Sequence, residues 1–201
     1  PDSGIVRAFQ IRPAKPPKGY EGPKCLHRFP QKSEAGAPYL FGQVKGLIGR
    51  EWHENVNTVV LCEGSIDTFT AESFAASDGT VFAIGSAGAG ELVTAAKYLA
   101  SRKDFTARVV IVYDLENAKP KEKRMGRNKA REANQILRDA GKASEMFDWA
   151  TYIRALNALG VSGEALNPLP DDLNESLTRA LDAGVQHHRI ARAFLSALEE
   201  E

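Results

Sequence analysis

From residue 58 onward the chain alternates short apolar runs with helical patterns, and no other feature constrains the fold as tightly. Residues 58–62, 80–84 and 108–113 read as strands. The runs Val59-Val60-Leu61-Cys62 and Val109-Val110-Ile111-Val112 show no apolar–polar alternation, so both faces of each strand are expected to be buried, as in a parallel sheet covered by helices. Residues 66–76, 91–101 and 127–140 read as the intervening helices, the first entered through Gly64-Ser65. Strands and helices at this spacing imply right-handed crossovers and an α/β parallel sheet flanked by helices. Residues 149–159 and 173–183 read as further helices, and 187–201 as an exposed amphipathic one.

Two of these strands run into carboxylates. Glu63 follows the first, and Asp114 and Glu116 follow the third. Open α/β sheets bind ligands at the carboxyl ends of their strands, so these acids are expected to meet at one sheet edge. Asp114 and Glu116, at i and i+2 of an extended segment, would point to the same side, and Asp67 would lie one helical turn beyond Glu63 on the same face. Like charges brought together repel unless a cation neutralises them, and Mg²⁺ accepts hard oxygens from one or two carboxylates plus substrate phosphates. The alternative for each acid is a solvated loop carboxylate. The turn Gly85-Ser86-Ala87-Gly88-Ala89-Gly90 has the order G-x-x-G-x-G, which matches neither the dinucleotide fingerprint nor a phosphate-binding loop. It reads as a tight strand-to-helix connection, with phosphate contact by backbone N–H groups as the alternative.

The net charge of zero conceals blocks. Residues 1–50 carry nine Lys/Arg against three Asp/Glu, and 119–142 again nine against three, whereas 51–118 and 143–201 each carry four against ten. Two basic regions flanking acidic ones suit a polyanionic partner, the other reading being solvated helix faces. Six prolines between Pro13 and Pro38 exclude long helices, so 1–50 reads as a small basic lobe of short strands and turns. Cys25 and Cys62 have no metal-ligand spacing, no run is long enough to span a membrane, and a cytoplasmic setting is expected. The chain opens on Pro1, which is read as a piece of something longer. His187 and His188 have no acidic or cysteine partner at ligand spacing and read as surface residues; Trp52 and Trp149 read as core or hinge residues, with base stacking as the alternative.

Glu63-Gly64-Ser65-Ile66-Asp67 before an apolar helix, the Gly85-Ser86 turn, and Tyr113-Asp114-Leu115-Glu116-Asn117-Ala118 together resemble the Toprim domain shared by bacterial primases, topoisomerases and OLD-type nucleases. Leu169-Pro170-Asp171-Asp172-Leu173-Asn174-Glu175 resembles the terminal acidic motif of the primase type, and Pro23-Lys24-Cys25-Leu26 with Tyr39-Leu40-Phe41-Gly42 resembles the basic lobe that precedes it in DnaG-type primases. The implied architecture is a Rossmann-like Toprim core over 51–178, a lobe over 1–50 and a helical extension over 179–201. There are two departures. Glu116 stands where the family usually has Asp, and residues 119–125 form a basic insertion before Gly126.

The resemblance implies metal-dependent nucleotidyl transfer that synthesises RNA primers on single-stranded DNA, in a phage, plasmid or mobile-element setting. Glu63, Asp114 and Glu116 would be catalytic. These three and Asp172 would hold Mg²⁺ or Mn²⁺, with Asp67 and Gly64 in support. Lys24, Arg28, Arg124, Arg127 and Lys129 would contact the template or nucleoside triphosphates, and a replicative helicase is an implied partner. A Toprim nuclease, or a nucleic-acid-binding module whose site has decayed, are the alternatives.

Overall fold

The computed structural model describes residues 9–11, 26–28, 41–42, 56–76, 78–86, 88–117, 120 and 123–199. Strand β1 (Phe9–Ile11) pairs antiparallel with β2 (Leu26–Arg28). A five-stranded sheet contains β3 (Phe41–Gly42), β4 (Thr58–Cys62), β5 (Val81–Gly85), β6 (Arg108–Val112) and β7 (Ser144–Met146) in the order β3-β5-β4-β6-β7. Strands β4 to β7 are mutually parallel, and β3 joins the edge of β5 antiparallel. Among the described residues six helices flank this Rossmann-like sheet: α1 (Ser65–Ala75), α2 (Ala89–Ser101), α3 (Met125–Asp139), α4 (Trp149–Ala158), α5 (Leu173–Asp182) and α6 (His187–Glu199).

The central position of β4 explains its sequence. All five of its residues are buried, because helices cover both faces and strands lie on both sides. Its register then sets the site edge. Cys62 is level with Gly85 on one side and with Val112 on the other, so the chain leaves all three strands at the same height.

Two elements depart from the expected pattern. Strand β7 has the sequence Ser-Glu-Met and no apolar run, because an edge strand needs only its backbone bonds to β6 and one covered face. Helix α6 is amphipathic as expected, but it is not an exposed appendage: Ile190, Ala191, Ala193, Phe194, Ala197 and Leu198 are buried. The Phe194 ring lies 5.1 Å from Phe74, 5.3 Å from Phe147 and 6.0 Å from Tyr152 between ring centroids. Arg108 fastens the same region, pairing with Glu145 at 2.9 Å and donating to the Leu198 carbonyl. Helix α3 also begins earlier than its periodicity implies, at Met125, so the last residue of the basic insertion is already helical.

Candidate functional site

Glu63 is the first residue beyond β4, and its N–H donates to Val112 O at 3.1 Å. Its carbonyl accepts from Gly88 N–H at 2.9 Å and lies 3.0 Å from Ser86 Oγ. The Gly85–Gly90 turn therefore works as a tight connection that clamps the Glu63 backbone. Gly85 is needed for the close approach of α1. A Cβ there would sit 1.9 Å from Thr68 Oγ1 and 3.1 Å from Gly64 O, the carbonyl that Thr68 itself binds at 2.7 Å. Gly64 is the N-cap of α1 and sets Asp67 in its first turn.

Asp67 is almost fully buried, and its Oδ1 accepts from Asn174 N–H at 3.0 Å across 107 residues of chain. Segment 169–175 is also sewn to the loop after β6. Leu115 N–H donates to Asp171 O at 2.7 Å, Asn117 N–H to Asp171 Oδ1 at 2.9 Å, and Asn117 Nδ2 to the carbonyls of Leu169 and Pro170. Asp172 caps α5 by accepting from Glu175 N–H at 2.6 Å, while the Glu175 side chain accepts from the N–H of Asp171, the residue before the cap, at 2.7 Å, a variant of the capping box. Asn117, Asp171 and Asn174 thus position the acids, a role that nothing in their own sequence neighbourhood announces. The Asp-x-x-Glu spacing of 172–175 signals only the cap of α5.

Asp114 and Glu116 follow the third strand as expected, but the segment that carries them does not stay extended through Glu116. Strand β6 ends at Val112, so both lie in the following loop. Glu116 has a left-handed backbone, with φ at 48°, and its Oε2 accepts from Gly126 N–H at 3.1 Å in the first turn of α3. Its longer side chain thus reaches the positive end of that helix, where an anion is favoured. Glu63 Oε2 accepts from Asp114 N–H at 3.3 Å. Gly126 completes the enclosure, because a Cβ there would stand 2.4 Å from Glu63 Oε2 and 3.1 Å from Asp114 O.

The electrostatics follow from this convergence. Burial, and then the charges of Glu63, Asp67, Asp172 and Glu116, push the Asp114 carboxyl up to about 8. Burial and then Asp172 push Asp67 up to about 7, against the opposing bond from Asn174 N–H. The Cys62 thiol beneath them is also raised, chiefly by burial. Hard oxygen donors with an excess of negative charge are chemically suited to a divalent cation. Among the described residues, however, no group of three or more His, Cys, Asp or Glu side chains is gathered into a metal shell. One oxygen each of Glu63, Asp67, Glu116 and Asp172 is already engaged by a backbone N–H. The arrangement suits Mg²⁺ held by one or two carboxylates with the rest of its shell supplied from outside, rather than a closed protein cage.

The basic residues divide. Arg124 supplies the N-cap of α3 and Arg127 lies in its first turn, beside Tyr113, with Nε buried and unbonded. Lys129 is paired with Glu132 at 2.7 Å on the exposed face of the helix. Of the N-terminal candidates, Arg28 is described only as the last residue of β2, facing Phe9 in register, and Lys24 lies outside the described residues. Lys119 and Lys121 of the basic insertion, Trp52 and Cys25 also lie outside them. Trp149 is a core residue whose indole N–H donates to Tyr113 O at 3.1 Å, holding the strand end that precedes Asp114. No helix among the described residues is long and apolar enough to cross a membrane. No protein-family model matches the chain, and neither a curated protein nor a solved structure matches it.

Proposed function

We propose that this chain carries a Toprim-type centre for metal-dependent nucleotidyl transfer, of the kind by which primases extend RNA on a single-stranded DNA template. One observation carries the reading. Three acidic segments, 63–67, 114–116 and 171–175, meet at the carboxyl edge of one parallel sheet, joined by the Asn174–Asp67 and Leu115–Asp171 bonds. Bound Mg²⁺ or Mn²⁺ would neutralise a triphosphate and acidify the attacking hydroxyl. Asp114, with Glu63 and Asp172 around it, would hold that charge, and the burial and like charges that raise its carboxyl would make cation binding compete with a proton. Glu63, fixed by Asp114 N–H, is placed to act as a general base or as a further ligand. Arg124 and Arg127 flank the site at the start of α3 and suit the phosphates of template or nucleotide.

The reading is tested by incubating the protein with labelled single strands, nucleoside triphosphates and Mg²⁺ or Mn²⁺. Extension is expected, and Asp114→Asn should lower it by roughly 10³-fold or more, since phosphoryl transfer depends on charge stabilisation at such positions. Shortening of the strand would replace polymerisation by hydrolysis at the same centre. A second reading, a nucleic-acid-binding module without catalysis, is favoured by the engagement of Glu116 at α3 and by the absence of a gathered metal shell among the described residues. Titration calorimetry separates the two: heat of Mn²⁺ binding lost in Asp114→Asn supports the catalytic reading, and no heat from the unaltered protein supports the second.

A further inference from the structure

The outer face of α1 connects the carboxylate edge to a cavity that carries the guanidinium of Arg192. Ile66, Phe69, Ser73 and Ala76 fall on one stripe at helical spacing. Ile66 is 37% exposed and Phe69 54%, although both are large apolar side chains less than one turn from the buried Asp67. At its far end the stripe enters a cavity of about 350 Å³, whose lining combines Ser73, His187, His188 and Arg192 with apolar residues that include Phe74 and Leu195. Ser73 Oγ lies 3.1 Å from His187 Nε2. His187, His188, Arg189 and Arg192 are all exposed within the first six residues of α6, and no acidic residue stands in that turn. The charges of Arg189 and Arg192 at the positive end of that helix dipole are placed against its field, an arrangement that an anion in the cavity would relieve.

We propose that a single nucleic-acid strand leaving the carboxylate cluster runs along the outer face of α1, with a base stacked on Phe69 and a backbone phosphate seated in the His187–His188–Arg192 cavity. This rests on the functional reading above. Phe69 and Ser73 are four residues apart, about 6 Å along the helix axis. Two stacked nucleotides at about 3.4 Å each cover that distance. An exposed ring accepts any base, because every base has a π face, and the Arg192 guanidinium, with the imidazole N–H groups beside it, contacts the backbone without reading sequence.

The test measures binding of a labelled twelve-residue oligothymidylate, and of an abasic strand of the same length, to the full chain by fluorescence anisotropy. Phe69→Ala should weaken oligothymidylate binding roughly 5- to 100-fold and leave the abasic strand unchanged, whereas Phe69→Trp should retain binding and show fluorescence quenching by the stacked base. The double change His188→Ala with Arg192→Ala should weaken both strands and make binding less steeply dependent on salt. If the unaltered protein binds and extends strands while all three variants bind both strands as it does, the track is overturned and the functional reading stands. If the unaltered protein binds neither strand, both fall.

Discussion

Phe74 on α1 meets Phe194 on α6 with ring centroids 5.1 Å apart, whereas seven residues earlier on the same helix Asp67 is held among Glu63, Asp114 and Asp172. Both clusters draw residues from distant parts of the chain to one helix. The aromatic cluster lowers the free energy of the fold by removing apolar surface from water, and its members attract. The acidic cluster raises it, since burial and like charge both oppose ionisation. The difference shows which part of α1 serves stability and which part bears a cost for its position at the sheet edge. The acids stay together because backbone N–H groups of the loop after β6 and of the first turns of α3 and α5 hold them, and those segments are fixed by the core beneath.

The largest stability effect should come from breaking the aromatic side. Phe194→Ala is expected to destabilise the protein by about 3–5 kcal/mol, because it leaves a cavity where α6 closes on Phe74, Phe147 and Tyr152. Denaturant unfolding followed by circular dichroism measures this, and a loss below about 1 kcal/mol would mean that α6 is not a core element. On the acidic side the sign reverses. The Asp114 and Asp67 carboxyls are raised in the fold, so the folded state holds protons that the unfolded chain has released. Their stabilising contribution is therefore complete below the ordinary carboxylate range near 4 and is lost as pH rises to about 8. Asp114→Asn should change little at pH 4 and stabilise the protein by on the order of 2 kcal/mol at pH 8 in the presence of chelator. A uniform effect across that range would remove the like-charge account. The smallest change is expected on the outer face of α3. Lys129→Ala breaks an exposed pair with Glu132 and should shift stability by less than about 0.5 kcal/mol, which thermal unfolding would check.

What could be read from the chain follows from burial. Strands β4, β5 and β6 are legible because a parallel strand covered on both faces must be apolar along its length. Strand β7 was not, because Ser144, Glu145 and Met146 contribute backbone bonds at an edge and carry no pattern of their own. Glu63 and Asp114 could be placed at the sheet edge because each follows an apolar run directly. Glu116 could not be placed correctly, because neither its left-handed backbone nor its bond to Gly126 is encoded in a spacing. Gly126 was visible only as the end of an insertion, yet a side chain there would collide with the Glu63 carboxylate. Phe69 was visible only as part of an apolar helix, and which apolar residues of that helix remain outside depends on what packs against it.

The sequence by itself determined the parallel α/β core and the position of Glu63 and Asp114 at its carboxyl edge, since local hydrophobic period and chain order suffice for both. Tertiary structure alone decided that segment 169–175 returns to Asp67 and to the loop after β6, that α6 closes the aromatic core, and that Glu116 turns toward α3. Those outcomes depend on contacts between residues ten to more than a hundred positions apart. Hydrogen-bond geometry and packing select such contacts only once the sheet has brought the segments together.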